Sequence, residues 1–289
     1  MPELPEVETV ARGVGRHIAG LTVEWVHLER KDIVYGHPAP LCAALRGRRV
    51  QKVVRRGKQV HLDLVGGACL IVHLGMTGKL LVADRDEPIA RHTHLRLTFR
   101  RRRIELRFVD PRRFGRIWLI LDAEPDGPWI GRRPPPVAAD PLRISLADFR
   151  DLLNRDRQIK ALLLDQQPLS GVGNIYCDEA LYRAGIHPGT RAADLDASMV
   201  GRLWRALRRV LNESIAAGGT TVSDYRSADN TTGWYQHKLR VYQRTGHPCR
   251  QCGTRIQRIA VAGRGTFICP QCQPVSRRRG SGQTPRRRL

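Results

Sequence analysis

The sequence predicts an α+β chain: a β-rich first part of sandwich or barrel type, a helical part after it, and a small cysteine-bearing hairpin near the end. Three observations predict this. Apolar residues alternate with period two in Val60, Leu62 and Leu64, in Leu95, Leu97 and Phe99, and in Ile104, Leu106 and Phe108, as half-buried strands require. Val200, Leu203, Leu207, Val210, Leu211 and Ile215 recur at helical spacing instead. Cys249, Cys252, Cys269 and Cys272 form two Cys-x-x-Cys pairs with 16 residues between them.

In chain order, a first helix is expected from about Pro5 to His17, with Val7, Val10, Ala11 and Val14 on one face, Pro5 in the first turn and Gly20 closing it. Short strands follow from about Val23 to Leu121, and Arg100 to Arg103 fall at an exposed hairpin tip between two of them. Around Pro125 to Pro141 the composition turns to Pro, Gly, Asp and Arg, marking a linker. Four helices are read at Leu146 to Asn154, Ile159 to Gln166, Ile175 to Ala184 and Asp196 to Ala217, the last with Asp196 as N-cap and Gly218 just past its end. A polar loop spans Ser223 to Gly233, and a compact cysteine-bearing segment runs from about Tyr242 to Gln273. Residues 275–289, nearly all Ser, Gly, Pro and Arg, read as a disordered basic arm.

The chain of 289 residues carries 50 Lys+Arg against 27 Asp+Glu, a formal charge of +23. Removing the six arginines of the arm (277–279 and 286–288) still leaves about +17, so a polyanion partner, most commonly nucleic acid, is expected for the body itself. There is no run of 18 apolar residues, and Glu3, Glu6 and Glu8 stand where an export signal would be basic and then apolar. A cytoplasmic protein without a membrane span is the expectation. In such a compartment the paired cysteines read as metal ligands rather than disulfides.

The spacing of Cys249, Cys252, Cys269 and Cys272 matches a four-thiolate ribbon holding one structural Zn2+; the alternative is two unrelated pairs of free cysteines. Gly263-Arg264-Gly265-Thr266 reads as a turn with Arg264 at its tip, either presented to a ligand or simply solvated. Cys42, Cys69 and Cys177 have no partner at ligand spacing and read as core or surface residues. Gly171-Val172-Gly173-Asn174 opens a helix, so its N–H groups either receive a phosphate or form a tight helix–helix turn with Asn174 as N-cap, and both can hold. Asp110-Pro111-Arg112-Arg113-Phe114-Gly115 is an exposed basic turn or, with its aromatic, a wedge for a base stack. Pro2 behind Met1 is the kind of context in which the initiator is removed. The freed secondary amine titrates far below lysine and is a usable nucleophile, while the bland reading of Pro2 to Glu6 is a helix start with favourable acidic residues.

Several of these segments occur together and in order: Met1-Pro2-Glu3-Leu4-Pro5-Glu6-Val7-Glu8-Thr9, His73 to Gly78, Asp110 to Gly115, Gly171 to Tyr176 with Gly185-Ile186-His187-Pro188, and Arg264 to Gln273. In this the chain resembles the bacterial formamidopyrimidine-DNA glycosylases over residues 1 to about 273. Leu4, where the related endonuclease VIII group has glycine, points to the oxidised-purine branch. The resemblance implies a catalytic β-sandwich domain over 1–135, a helix-two-turns-helix DNA-binding domain over 136–240, a zinc finger over 241–273 and the tail over 274–289.

It also implies a chemistry. Such proteins excise 8-oxoguanine and formamidopyrimidines from duplex DNA and then cut the strand in base excision repair. Carried over residue by residue, Pro2 is the nucleophile, Glu3 the proton-transfer carboxylate, Lys58 the lysine of the β-elimination step and Arg264 the phosphate-contacting arginine of δ-elimination. Damage within a duplex must be flipped out. Met76, Arg112 and Phe114 then fill the gap, and His92, Arg155 and Asn174 contact the DNA backbone. Gln59 stands where the family usually has tyrosine, Arg155 where it often has lysine, and Cys177 where it usually has alanine. Damaged double-stranded DNA is the implied partner, the monomer the implied state, and no organic cofactor is implied. The rival reading is a non-catalytic damaged-DNA or DNA-structure binding protein on the same scaffold, which would be marked by loss of Pro2, Glu3, Lys58 or Arg264; all four are present.

Overall fold

A computed structural model describes residues 1–36, 41–121, 131–221 and 225–275. Helix α1 (Leu4–Ile18) is amphipathic, as its spacing predicts, and ends where Gly20 takes a left-handed φ of 83°. Two antiparallel-rich sheets then stack. Strands β1 (Val23–Leu28), β2 (Val34–Gly36), β3 (Val50–Arg56), β4 (Gln59–Leu64), β5 (Cys69–His73), β6 (Lys79–Asp84), β7 (Thr93–Phe99), β8 (Ile104–Val109) and β9 (Arg116–Ile120) divide into a four-stranded sheet, β1-β7-β8-β6, and a five-stranded one, β2-β9-β5-β4-β3. Only the β2–β9 pairing is parallel among the strands of these sheets. Val60, Leu62, Leu97, Phe99, Leu106 and Phe108 fill the space between the sheets, so period two marks the core face as expected. Arg100 to Arg103 form the exposed turn between β7 and β8. A five-residue helix, α2 (Leu41–Leu45), lies within the stretch read as strands alone; it is too short to show a periodic signal.

The helical part contains α3 (Leu146–Leu153), α4 (Ile159–Leu164), α5 (Asn174–Ala184) and α6 (Ala197–Ala216). Asp196 caps α6 by accepting from Met199 N at 2.8 Å. Helix α5 packs against both α4 and α6 and is buried nearly all round, Asp178 and Glu179 included. Strands β10 (Gln257–Val261) and β11 (Arg264–Ile268) form the last hairpin. Part of the linker (122–130), part of the polar loop (222–224) and all of the arm after Val275 lie outside the described residues.

The chain start joins the two bodies. Leu4 is fully buried in the helical core, whereas Val7, Val10 and Val14 of the same helix belong to the sandwich core. After α6 the chain returns to the sandwich, where Ala228 packs so closely on Gly13 that a Cβ there would lie 2.7 Å from it. The first residues are therefore wedged at the junction of two cores.

Candidate active site and nucleic-acid interface

Pro2 and Glu3 are both buried, with Met1 exposed ahead of them. The Glu3 carboxylate rests on the start of α5, accepting from Ile175 N at 3.0 Å and Tyr176 N at 3.4 Å. The anion seated on these two N–H groups is a side chain of the protein. Gly173, not Asn174, is the N-cap, and Asn174 instead donates through Nδ2 to Gly265 O at 3.0 Å. The glycines make room: Gly171 has φ 99° and lies against Leu4, and Gly173 lies against Glu3. Burial raises the Glu3 pKa above the usual carboxylate value, opposed by the Lys58 charge and the two α5 N–H groups.

Glu6 accepts from Glu3 N at 2.9 Å, from Thr220 N at 2.7 Å and from the Tyr176 hydroxyl. Burial, then the Glu3 charge, pushes it to about 7. The sequence suggested only a favourable acidic residue in a first helical turn; two of its three partners, Tyr176 and Thr220, lie 170 and 214 positions away.

Lys58 enters from the β3–β4 turn, where Gly57 has φ 57° and a Cβ would sit 3.2 Å from Ser170. Met1, Lys58, Gln59, His73, Gln166 and Ser170 line one small cleft beside the chain start. Burial lowers the Lys58 pKa and the Arg264 charge lowers it further, while Glu3 and Glu6 raise it. Arg55 braces this turn, reaching Glu8 at 2.7 Å, Asp140 at 2.6 Å and Gly57 O at 3.2 Å. Gln59 is buried and donates to Pro135 O at 3.1 Å, tying the linker over the cleft.

Arg264 is the first residue of β11, paired with Val261; the two-residue turn is Ala262-Gly263, with φ 53° and 70°. The tip placement is therefore corrected by one position, since a two-residue hairpin needs positive φ at both central residues and Gly263 supplies one. Its neighbour Gly265 is held at the root of α5 by Asn174 and by Lys160, whose Nζ lies 3.4 Å from Gly265 O. Lys160 and Asp178 are completely buried and 2.6 Å apart; Lys160 also donates to Thr266 Oγ1 at 2.8 Å, and Asp178 accepts from Phe267 N at 3.0 Å. Burial raises Asp178 to about 6 against the pull of Lys160. Glu179 accepts from the backbone N–H groups of Arg240, Val241 and Tyr242, where the chain enters the hairpin module. Sequence reasoning missed Lys160, Asp178 and Glu179. The one available signal was a charged residue at core positions of otherwise apolar helices.

The four Sγ atoms of Cys249, Cys252, Cys269 and Cys272 lie within 4.8 Å of one another, with close pairs at 3.4, 3.5 and 3.9 Å. Tetrahedral zinc with Zn–S of about 2.3 Å requires S···S of about 3.8 Å, so the donor set and spacing fit one structural ion. Tyr182 donates to Cys249 at 3.1 Å, and Gln273 links Cys269 N to Ile186 O, anchoring the module to the end of α5. Cys69, read as isolated, lies beside Asp63 at 3.2 Å and His61 at 3.7 Å on adjoining strands.

Met76, His92, Arg112 and Phe114 lie exposed or half-exposed on neighbouring loops of the sandwich. Asp110 is fully buried and gathers Thr77 Oγ1 at 2.5 Å, Gly115 N at 2.7 Å and Arg112 N at 3.3 Å, while Asp110 N donates to His92 O at 3.0 Å. A Cβ on Gly75 would stand 2.6 Å from Phe114 C, so the loops carrying Met76 and Phe114 pack backbone on backbone. Met76 and Phe114 are each 46 % exposed, and the Arg112 guanidinium sits 4.5 Å from the Phe114 ring centre. Arg155 is exposed between α3 and α4, in a separate groove with Asp140, Arg143 and Asp148.

A β-sandwich and a helical body that meet at a buried carboxylate and a half-buried lysine, with a thiolate ribbon delivering an arginine, define a DNA-processing protein of the zinc-bearing helix-two-turns-helix class. Family models described as the formamidopyrimidine-DNA glycosylase N-terminal domain, its H2TH domain, and a zinc finger found in FPG and IleRS match residues 1–117, 137–226 and 246–275. The chain belongs to the formamidopyrimidine-DNA glycosylase family. It is 45 % identical over 280 residues to the formamidopyrimidine-DNA glycosylase of Heliobacterium modesticaldum, covering 94 % of this chain and all of that one. A Lactococcus lactis FPG variant solved with Fapy-dG-containing DNA superposes with a TM-score of 0.83 at 34 % identity, over 94 % of this chain and 100 % of that one. A MutM structure in complex with DNA containing carbocyclic 8-oxo-G gives 0.81 at 34 % identity, over the same shares of the two chains.

Proposed function

We propose that this chain excises oxidised purines, 8-oxoguanine and formamidopyrimidines, from duplex DNA and cleaves the strand at the resulting abasic site, as a DNA glycosylase and AP lyase of base excision repair. The observation that carries this reading is the convergence of the buried chain start, Glu3, Lys58 and the hairpin bearing Arg264 at one junction. Residues 1–135 supply the catalytic centre in this reading, 136–240 the helical DNA grip and 241–273 the finger.

Removal of Met1 frees the Pro2 nitrogen. This amine attacks the sugar C1′ of the damaged nucleotide, the glycosidic bond breaks, and the base leaves with a proton. The C–N bond formed becomes an iminium once the sugar ring opens, with Glu3 moving the proton to the ring oxygen. A carboxyl raised by burial but still hydrogen-bonded by α5 can hold and release that proton. The iminium acidifies C2′, so a proton leaves there and the 3′-phosphate departs by β-elimination; a second elimination then releases the 5′-phosphate. A lysine with a lowered pKa, as at Lys58, serves as the base for such a step, and Arg264 holds the phosphate. Zinc supplies structure alone, keeping Arg264 in place. Met76, Arg112 and Phe114 occupy the space left by the flipped nucleotide, and His92, Arg155 and Asn174 hold the backbone. One chain assembles all of these groups, which supports a monomer; we place it at the nucleoid in the cytoplasm.

Borohydride added during reaction with an 8-oxoguanine duplex is expected to trap a covalent protein–DNA adduct, absent in Pro2→Gly. A correctly processed protein that binds the duplex but yields no adduct would be a damaged-DNA binding protein instead.

A further inference from the structure

Two adjoining grooves of the described surface lie away from this centre. One of about 580 Å³ opens between α6 and the segment entering the ribbon, lined by Arg183, Arg202, Arg205, Arg209 and Arg240. A second adjoins it, sharing Arg183, Arg209 and Arg240 and adding Lys238 and Arg250. Seven cations thus face one carboxylate, Glu213, which Arg183 and Arg209 already share at 2.6 and 2.8 Å. Arg202, Arg205, Arg240 and Arg250 are exposed, and among the described residues no carboxylate lies within ion-pair distance of any of them.

This groove is separate from the candidate active site. Glu3 and Asn174 mark the N-terminal end of α5, and Arg183 comes nine residues later, about 14 Å along the axis. Its charge stands at the end of α5 where carbonyls point outward and favour cations, and Arg202 Nε donates to Ala184 O at 3.4 Å there. The walls also state what kind of anion fits. Arginine forks suit phosphate oxygens, and the 580 Å³ trough itself offers a base no ring to stack on, since its Tyr182 ring is 5 % exposed with its hydroxyl on Cys249; the exposed His237 ring belongs to the adjoining groove. An open, arginine-lined trough without a stacking surface recognises a backbone rather than a nucleotide.

We propose that this groove is a second DNA seat, which takes the phosphodiester backbone of an undamaged duplex segment while the N-terminal centre holds another. The protein then bridges two segments.

The test uses the full chain saturated with an unlabelled duplex carrying an abasic-site analogue, titrated with a fluorescent undamaged duplex at about 50 mM salt. The expected result is a two-duplex complex by sedimentation. In Arg202→Gln/Arg205→Gln/Arg240→Gln, affinity for the second duplex falls at least roughly tenfold and the slope of its log affinity against log salt falls by about 3. Excision of 8-oxoguanine at saturating protein stays within about twofold of the parent, since no substituted residue belongs to that centre. A strict one-to-one complex, or a triple variant that binds the second duplex as the parent does, overturns the proposal. So does a chain ending at Val275 that loses the second duplex while the triple variant keeps it, or a groove that takes inorganic polyphosphate and no DNA. Failure of the first duplex to bind would strike the glycosylase reading instead.

Discussion

Gly173 and Glu3 fit against each other with no room for a side chain between them: a Cβ at residue 173 would stand 2.3 Å from Glu3 Cδ and 2.4 Å from its Oε1. The carboxylate reaches the free N–H groups of α5 only because position 173 is bare. The same contact sets the chain start, since Leu4 N donates to Gly171 O at 3.0 Å two residues earlier in that loop.

Gly173→Ala is therefore expected to slow excision by about 100-fold or more, the scale of a misplaced proton-transfer group. The backbone there has φ −131°, which alanine adopts freely, so the effect reads the position of Glu3 and not strain. Single-turnover excision alongside equilibrium binding to the lesion duplex separates catalysis from grip; an unchanged excision rate would remove Glu3 from the reaction.

Lys160→Met leaves Asp178 buried without its cation. The loss is expected to be about 3–5 kcal/mol, the usual scale for breaking a fully buried pair. Urea unfolding measures it, and a cost under about 1 kcal/mol would show that Asp178 is satisfied by Phe267 N–H alone.

Glu6 gives stability a pH dependence of definite sign. Its folded pKa of about 7 lies above the ordinary 4.5, so between those values the folded chain holds more proton than the unfolded one and stability declines as pH rises. Glu6→Gln is expected to flatten the decline by up to about 1.4 kcal/mol per pH unit. The check is the urea midpoint measured from pH 4.5 to 8 for both proteins; parallel curves would mean that Glu6 is ionised throughout.

Stripping zinc is expected to weaken binding to the lesion duplex at least roughly tenfold, because the thiolate cluster and the strands bearing Arg264 form one small module. Fluorescence anisotropy before and after chelation reads this, with metal content measured on the same sample. Undiminished affinity after verified metal loss would detach Arg264 from the finger's zinc.

Much of this molecule obeys rules that act over a few residues. A helix repeats at three and four positions, a strand at two, and a thiolate knuckle closes over two intervening residues. Hence α1, α6, the β7–β8 turn and the four cysteines were legible from the sequence alone. Pro2, Arg112, Phe114 and Arg264 carried local hints of their roles beside a bland alternative, and the resemblance chose between them; Glu3 and Lys58 were legible as resemblance alone.

The sequence by itself thus determined the fold class, the zinc ligands and the family of this protein. Tertiary structure alone decided which anion sits on the Ile175 and Tyr176 N–H groups of α5, a side chain 172 positions away from the first of them, and which cation neutralises Asp178. It also decided that arginines with no evident task converge on one groove. The physical reason is that a buried charge must find a partner or lose its ionisation, and burial together with the choice of partner is set by distant segments meeting in space. No period or spacing along the chain encodes that meeting.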